Sequence, residues 1–218
     1  MGKMRALIVT GGTIQLDFAR KYIEAQKFDL MIAGDSGMEF FRAINKIPQY
    51  IVGDFDSANP ETISFFRAQK NIVFREFRPE KDETDTELAI SMAMEIKADE
   101  ICILGATGTR LDHVIGNIYL LCKPLKRNIS CYIQDAHNRI RLIEKKTTIG
   151  REEQFGKYVS LLPLTTDAGG ITLEGFKYPL HDAVMTSDNS LGVSNEIAAE
   201  QATIDLKSGI LILIESRD

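Results

Sequence analysis

The sequence predicts an α/β protein, with an N-terminal parallel-sheet domain of Rossmann-like type and a small all-β sandwich domain after it. Up to about residue 137, apolar runs with β propensity alternate with segments of helical spacing, which is the pattern of a parallel sheet covered by helices. Beyond about Asn138 this periodicity stops, and short alternating runs separated by Gly, Asp and Asn indicate an antiparallel sandwich or barrel. We therefore predict two domains, residues 1–138 and 139–218.

The elements of both domains follow from these patterns in order. In the first domain we predict strands at 6–9, 30–33, 50–52, 72–74, 101–104 and 131–133, and helices at about 16–27, 37–45, 60–69, 84–97 and 110–123. Pro60 suits a first helical turn, because the N–H that proline lacks would have no partner there. In the second domain, we predict strands at 140–143, 158–162, 171–173, 183–185, 202–206 and 210–214, and residues 207–209 resemble the turn of a last hairpin.

The composition excludes several classes of protein. The 218 residues include 26 Lys and Arg against 31 Asp and Glu, a net charge of −5, which argues against a nucleic-acid binder that relies on phosphate neutralisation. The hydrophobic content of 44% is what a packed core needs. No apolar run has the length of a membrane helix, and the N-terminal residues contain no signal-peptide core. We therefore expect a soluble, cytoplasmic protein with no membrane or nucleic-acid partner.

Glycine and polar residues follow nearly every predicted strand of the first domain. These clusters are residues 10–12, 34–37, 53–57 and 105–113. Because the carboxyl ends of parallel strands share one edge of a sheet, and ligands bind in the crevice there, these distant segments are expected to form one site.

Four aspartates on this edge indicate a metal site. Asp54 and Asp56 follow one strand, and Asp82 and Asp85 precede a strong helix. Thr84 and Glu87 have the spacing of a capping box, so this stretch also has a purely structural interpretation. Carboxylates at short range repel each other by roughly 4 kcal/mol per pair at an effective dielectric constant near 20, so a cluster of them normally needs a cation. Mg²⁺, which prefers oxygen ligands and accompanies phosphates, is the natural candidate.

The segment 105–113 has the properties of an anion site. Its small residues allow the backbone N–H groups at a helix N-terminus to approach phosphate oxygens, and Arg110 adds a planar cationic group. Arg110, His113 and Asn117 fall on one face of the following helix, and we expect Asn117 to contact the nucleotide together with the other two. The common phosphate loop G-x-x-x-x-G-K-[ST] is absent from the sequence.

Four motifs together resemble the thiamine pyrophosphokinase family. They are Gly53-Asp54-Phe55-Asp56-Ser57, Asp82-Glu83-Thr84-Asp85, the segment from Gly105 to His113, and Ser194-Asn195-Glu196. The resemblance spans nearly the whole chain and has the motifs in the family's order. It implies transfer of a diphosphate group from ATP to the hydroxyl of thiamine, with Mg²⁺ required and AMP released. It further implies a nucleotide-binding catalytic domain, a thiamine-binding β-sandwich, and a homodimer with active sites between the subunits.

The resemblance also implies roles for individual residues. The expected magnesium ligands, which also arrange the phosphates, are Asp54, Asp56, Asp82 and Asp85. The expected contacts of the nucleotide or its phosphates are Lys81, Thr84, Arg110, Asp112 and His113, and Asp35 is expected near the nucleoside. Ser194 and Asn195 are expected to line the thiamine pocket. Because the chain has no Trp, Tyr178 or Leu191 would pack against the thiamine rings.

Two other interpretations remain open from the sequence. The pair Asp54 and Asp56 could belong to an aspartyl-phosphate phosphatase, with Asp54 as the covalent acceptor, or could form the metal motif of a nucleotide-sugar transferase. Alternatively, the chain could be a non-catalytic sensor of thiamine or a nucleotide. Both leave features unexplained: a phosphatase needs neither 105–113 nor 194–196, and a sensor need not keep four acids around a metal.

Overall fold

The computed structural model describes residues 2–56, 58–78 and 82–218. The chain forms two compact units, Met1–Ala136 and His137–Asp218. The prediction of a mixed α/β fold, with a parallel sheet first and an antiparallel sandwich second, is confirmed.

The first unit is a parallel sheet with helices between its strands. Its strands are β1 (Arg5–Val9), β2 (Leu30–Gly34), β3 (Tyr50–Gly53), β4 (Val73–Glu76), β5 (Glu100–Leu104) and β6 (Ser130–Gln134). Its helices are α1 (Leu16–Ala25), α2 (Gly37–Ala43), α3 (Pro60–Arg67), α4 (Asp85–Glu95), α5 (Leu111–Leu120) and α6 (Cys122–Leu125). The strand order is β6-β5-β1-β2-β3-β4, and each neighbouring pair is parallel. The order therefore reverses between β1 and β5, which is where open sheets of this kind bind ligands.

Alternating residues of the strands pack the core of this unit. Leu7, Val9 and Ala33 belong to a buried cluster with residues of α1, α2 and α3, including Phe41 and Phe66. The buried residues of α4 are not members of this cluster, although α4 contacts β1, β2 and β3. The helices therefore cover both faces of the sheet and leave the carboxyl edge of its strands for the polar loops.

The second unit contains two antiparallel sheets that share one core. Its strands are β7 (Asn138–Ile143), β8 (Thr147–Gly150), β9 (Tyr158–Pro163), β10 (Asp167–Glu174), β11 (Leu180–Thr186), β12 (Asn195–Glu196), β13 (Gln201–Asp205) and β14 (Leu211–Ser216). One sheet has the order β12-β9-β14-β7 and the other β11-β10-β13-β8. Leu161 and Leu213 of the first sheet and Ile171 and Ile204 of the second lie in the same buried cluster, as in a β-sandwich.

The predicted hairpin at residues 207–209 is wrong. Strand β13 pairs with β10 and β8, whereas β14 pairs with β7 and β9 in the other sheet. The backbone of Ser208 bridges to Gly169, and Gly209 has φ +87, so the segment passes from one sheet to the other. The turn residues were recognised, but turn chemistry alone does not determine which strands pair with each other.

Among the described helices, none has the length and apolar character needed to cross a membrane.

Candidate active site

A cavity of about 410 Å³ opens at the carboxyl edge of the parallel sheet, next to β1, β2 and β5. This volume falls in the range of small-molecule sites. The residues that line it come from the loops after those strands, from the first turn of α4 and from the first two turns of α5. They are residues 10–13, 34–36, 84–86 and 105–110, together with His113, Val114 and Asn117. Three of the four polar clusters therefore line one cavity, as expected of segments that meet at one edge of the sheet.

The loops after β1 and β5 run against each other along one side of the cavity. The backbone N–H of Gly12 donates to the carbonyl oxygen of Gly105 at 2.7 Å, and that of Thr13 donates to Thr107 at 2.8 Å. A Cβ atom on Gly12 would lie 2.2 Å from the Gly105 oxygen and 2.4 Å from the Thr107 oxygen. Gly105 itself has φ +74. Glycine is therefore required in both loops, because no side chain fits between two backbones this close.

Three carboxylates gather beside the cavity, at the ends of β2 and β3. Asp35, Asp54 and Asp56 each offer an oxygen, and these oxygens lie within 4.8 Å of one another. The backbone brings them together, because the N–H of Asp35 donates to the carbonyl of Val52 at 2.7 Å and Gly53 packs against the Asp35 backbone.

Phe55 determines how the two acids after β3 are presented. Its backbone has φ +62, and its buried ring packs edge-on against Phe74 with the ring centroids 5.8 Å apart. A non-glycine residue in this left-handed conformation is uncommon and needs support from its surroundings. The buried ring holds the turn in place, so the carboxylates of Asp54 and Asp56 on either side are directed to a common point.

The chemistry of this set fits a hard divalent cation. Carboxylate oxygens are ligands that Mg²⁺ prefers, and three of them at this separation repel each other by roughly 3–4 kcal/mol per pair at an effective dielectric constant near 20. The group that the structure assembles differs in part from the predicted metal set. It contains Asp54 and Asp56, and it adds Asp35, which the family resemblance placed near the nucleoside.

The other two predicted metal ligands lie outside this carboxylate group. Asp82 is exposed, whereas Asp85 is half-buried at the start of α4 and lines the cavity. Thr84 caps α4, since its hydroxyl accepts the N–H of Glu87 at 3.2 Å. This is one half of the predicted capping box, because the carboxylate of Glu87 accepts from Lys123. Thr84 also lines the cavity. Lys81 and Ser57 lie outside the described residues. The metal roles of Asp82 and Asp85 stay predictions.

Arg110 reaches the cavity as half of an ion pair. Its guanidinium meets both carboxylate oxygens of Asp112, with N–O distances of 3.2 and 2.5 Å. This hydrogen-bonded partner lowers the pKa of Asp112 to about 2, so the carboxylate stays charged at any physiological pH. Asp112 thereby fixes the orientation of Arg110 and is not itself among the lining residues.

Asn117 and His113 lie on the face of α5 that borders the cavity. The side-chain amide of Asn117 donates to the carbonyl of Ala106 at 2.9 Å and so ties the loop after β5 to the helix. His113 is exposed and lines the cavity. Of the predicted nucleotide contacts, the structure thus brings Asp35, Thr84, Arg110, His113 and Asn117 to one cavity.

The two predicted thiamine residues lie in the second unit. Asn195 is buried, and its side-chain amide bonds both the N–H and the carbonyl of Tyr178, at 3.0 and 2.8 Å. Tyr178 is 58% exposed. Ser194 is exposed with φ +59, and its N–H donates to the hydroxyl of Ser160. Asn195 therefore holds the backbone of an exposed aromatic side chain, and the thiamine roles of both residues stay predictions.

The argument from strand ends included Thr10 and Ser36 in the clusters 10–12 and 34–37 but gave neither a role of its own. It missed two hydroxyl residues of the cavity, Thr13 and Thr86. No sequence signal marks Thr86 as a site residue, because a threonine in the first turn of a helix is common and usually has no functional role.

The parallel sheet reverses its strand order at a glycine-lined cavity, and a carboxylate group lies at the same edge. This arrangement defines an α/β protein that binds phosphorylated ligands.

Comparison with known proteins gives the family. The model of the thiamin pyrophosphokinase catalytic domain matches residues 21–133, and that of the thiamin pyrophosphokinase vitamin B1 binding domain matches 146–211. Thiamine pyrophosphokinase of Bacillus subtilis (strain 168) is 36% identical over 190 residues, which covers 87% of this chain and 88% of that protein. The chain belongs to the thiamine pyrophosphokinase family, as its motifs predicted.

Solved structures agree with this assignment. The crystal structure of thiamine pyrophosphokinase from Bacillus subtilis has a TM-score of 0.86 and 33% identity, and covers 98% of this chain and 99% of that one. That of thiamin pyrophosphokinase from Geobacillus thermodenitrificans has a TM-score of 0.85 and 32% identity, and covers 99% of this chain and 98% of that one.

Proposed function

We propose that this chain transfers a diphosphate group from ATP to the hydroxyl of thiamine, giving thiamine diphosphate and AMP. The observation that carries the proposal is the cavity at the sheet's carboxyl edge, where glycine loops and acidic side chains meet in a member of this family. We assign nucleotide binding and catalysis to the first unit, as a Rossmann-like domain, and thiamine binding to the second. The phosphatase and sugar-transferase alternatives are not favoured, because neither accounts for a match to both domain models.

We assign Mg²⁺ to the carboxylates of Asp35, Asp54 and Asp56, with Asp82 and Asp85 as the remaining predicted ligands. When bound, Mg²⁺ supplies positive charge against the phosphate oxygens during the transfer. The protein's own groups act by binding and orientation. Arg110, held by Asp112, presents its guanidinium to phosphate oxygens on which charge develops. Asp85 is the proposed partner of the thiamine hydroxyl, within the same cavity.

The assay that tests this function combines purified protein, ATP, thiamine and Mg²⁺, and measures AMP and thiamine diphosphate together. We expect the two products in equal amounts, and neither when thiamine is omitted. Release of inorganic phosphate, or transfer from a nucleotide sugar, would contradict the proposal and return the chain to one of the alternatives.

We further propose that the protein is a homodimer with active sites at the subunit interface, in the cytoplasm. Helix α5 supports the dimer, because Leu111, Ile115 and Tyr119 repeat at every fourth position and are 70%, 50% and 57% exposed. None of the ten residues of α5 is buried. An apolar stripe on a helix usually packs against another surface, and here it borders the face that lines the cavity.

Replacing Ile115 by glutamate is expected to convert the dimer into a monomer, because it places a charge in the middle of this stripe. The mass in solution, measured by analytical ultracentrifugation, checks the result. Val73→Glu is the matched control, since Val73 is similarly exposed, at 47%, but lies on the edge strand β4. An Ile115→Glu protein that stays dimeric would show that α5 is not the interface.

A further inference from the structure

Two buried threonines at the base of the cavity have no role in the site as described so far. Thr10 follows β1 and Thr86 is in the first turn of α4, and both line the cavity. They are 7% and 6% exposed. Their hydroxyl oxygens lie 3.1 Å apart, which joins parts of the chain separated by 76 residues.

The hydrogen bond between the two hydroxyls uses only one of their two protons. Each threonine hydroxyl has one O–H donor, so when one donates to the other, the accepting hydroxyl keeps a proton of its own. Within the described residues, the side-chain hydrogen bond of each threonine is the one to the other. A buried donor without an acceptor is unfavourable, and both hydroxyls border a cavity from which a ligand could supply one.

The surroundings favour an anionic oxygen as that acceptor. Helix α4 has 11 residues, long enough for its N-terminus to present positive partial charge, and Thr86 is its second residue. The hydroxyl of Thr84 already takes the N–H of Glu87, but the backbone N–H of Thr86 has no protein acceptor among the described residues. Thr86 therefore adds a backbone donor to the one surplus hydroxyl donor of the pair.

Space for such a ligand group exists beside the threonines. A Cβ built on Gly34 would lie 3.8 Å from the Cβ of Thr10 and 3.6 Å from the carbonyl oxygen of Asp85. The end of β1, the end of β2 and the start of α4 thus meet at this point, and the absence of a side chain on Gly34 keeps it accessible. Phosphate oxygens only accept hydrogen bonds, so they match a site whose surplus groups are donors.

We propose that Thr10 and Thr86 bind a phosphate group of the nucleotide as one unit, with the surplus hydroxyl proton of the pair donated to a phosphate oxygen. This inference rests on the proposed function, because it takes a phosphorylated nucleotide as the occupant of the cavity. The bond between the two hydroxyls polarises the outer one and strengthens its donation to the anion. The pair also couples the start of α4, and with it Asp85, to the loop after β1.

The double substitution Thr10→Val and Thr86→Val tests the proposal. Valine has the shape of threonine, and replacing both partners of a hydrogen bond by apolar groups is nearly neutral for stability, so we expect an unchanged melting temperature. We expect the affinity for ATP, measured by calorimetry with Mg²⁺ and without thiamine, to fall by about tenfold or more, since hydrogen bonds to charged groups are the strong ones. The affinity for adenosine should not change. Thr86→Ser is the conservative variant, which keeps the hydroxyl and should bind ATP more tightly than the double variant does.

Three results would contradict this inference. Unchanged ATP affinity in a folded double variant overturns it and leaves the proposed function intact. A parallel loss of ATP and adenosine affinity overturns the assignment to phosphate. An original protein that binds neither ATP nor adenosine overturns the proposed function and this inference with it. If the double variant does not fold, Thr86→Val alone is judged by the same criteria.

Discussion

Replacing Asp56 by asparagine is expected to lower the rate of thiamine diphosphate formation by at least about a hundredfold, a loss typical of removing one electrostatic group from a reaction centre. Asparagine keeps the shape of the side chain but removes its charge, so the group of Asp35, Asp54 and Asp56 loses part of its attraction for a divalent cation. The same change relieves repulsion among three carboxylates whose oxygens lie within 4.8 Å. We therefore expect the melting temperature to hold or rise while activity falls.

Steady-state kinetics over a range of Mg²⁺ concentrations and thermal unfolding of the same preparation check this result. Asp17→Asn is the matched control, because Asp17 is an exposed carboxylate in the first turn of α1 and does not line the cavity. It should change neither measurement appreciably. Retained turnover in the Asp56 variant would remove the metal role from this residue.

Replacing Gly12 by alanine is expected to abolish most of the activity and to lower the free energy of unfolding by about 1–3 kcal/mol, because the added methyl group overpacks the space between two backbones. The new methyl group would lie within 2.4 Å of two carbonyl oxygens, those of Gly105 and Thr107. Both belong to backbone, so the loops must separate, and the hydrogen bonds of Gly12 and Thr13 across them are lost. The cavity wall and the loop that leads into α5 are then both displaced.

Denaturant unfolding and the thiamine diphosphate assay measure the two effects. Gly116→Ala is the control for glycine replacement in general. A Cβ on Gly116 meets no atom within 4 Å, and the residue lies inside α5, where alanine favours the helix by up to about 1 kcal/mol. If Gly12→Ala and Gly116→Ala lowered the activity and the free energy of unfolding equally, the close contact between the two loops would not be the reason for glycine at position 12.

The sequence was sufficient for the elements of the first unit and for the position of its site. Buried strands such as β1 and β5 are continuous apolar runs, and the polar clusters after them mark the carboxyl edge. The short strands β8 and β12 were missed, because Thr147–Gly150 and Asn195–Glu196 have no apolar alternation. The last hairpin was wrong because a Gly-containing turn can join strands of one sheet or of two.

The composition of the acidic group was only partly predictable. The argument from strand ends applies to Asp35 as well as to Asp54, since β2 and β3 are neighbours in the sheet. Whether three side chains converge depends on backbone turns, such as the left-handed φ of Asp35 and Phe55, which residue spacing does not reveal. The pairing of Thr10 with Thr86 depends likewise on how α4 packs across the sheet.

The two loops joined at Gly12 and Gly105 have a consequence for protein engineering. Because main-chain atoms form that wall, its shape depends little on the side chains at the other positions that line the cavity. A designer who wants this scaffold to accept a different nucleotide should therefore keep both glycines fixed and diversify Ser36 and Val114, whose side chains border the same space.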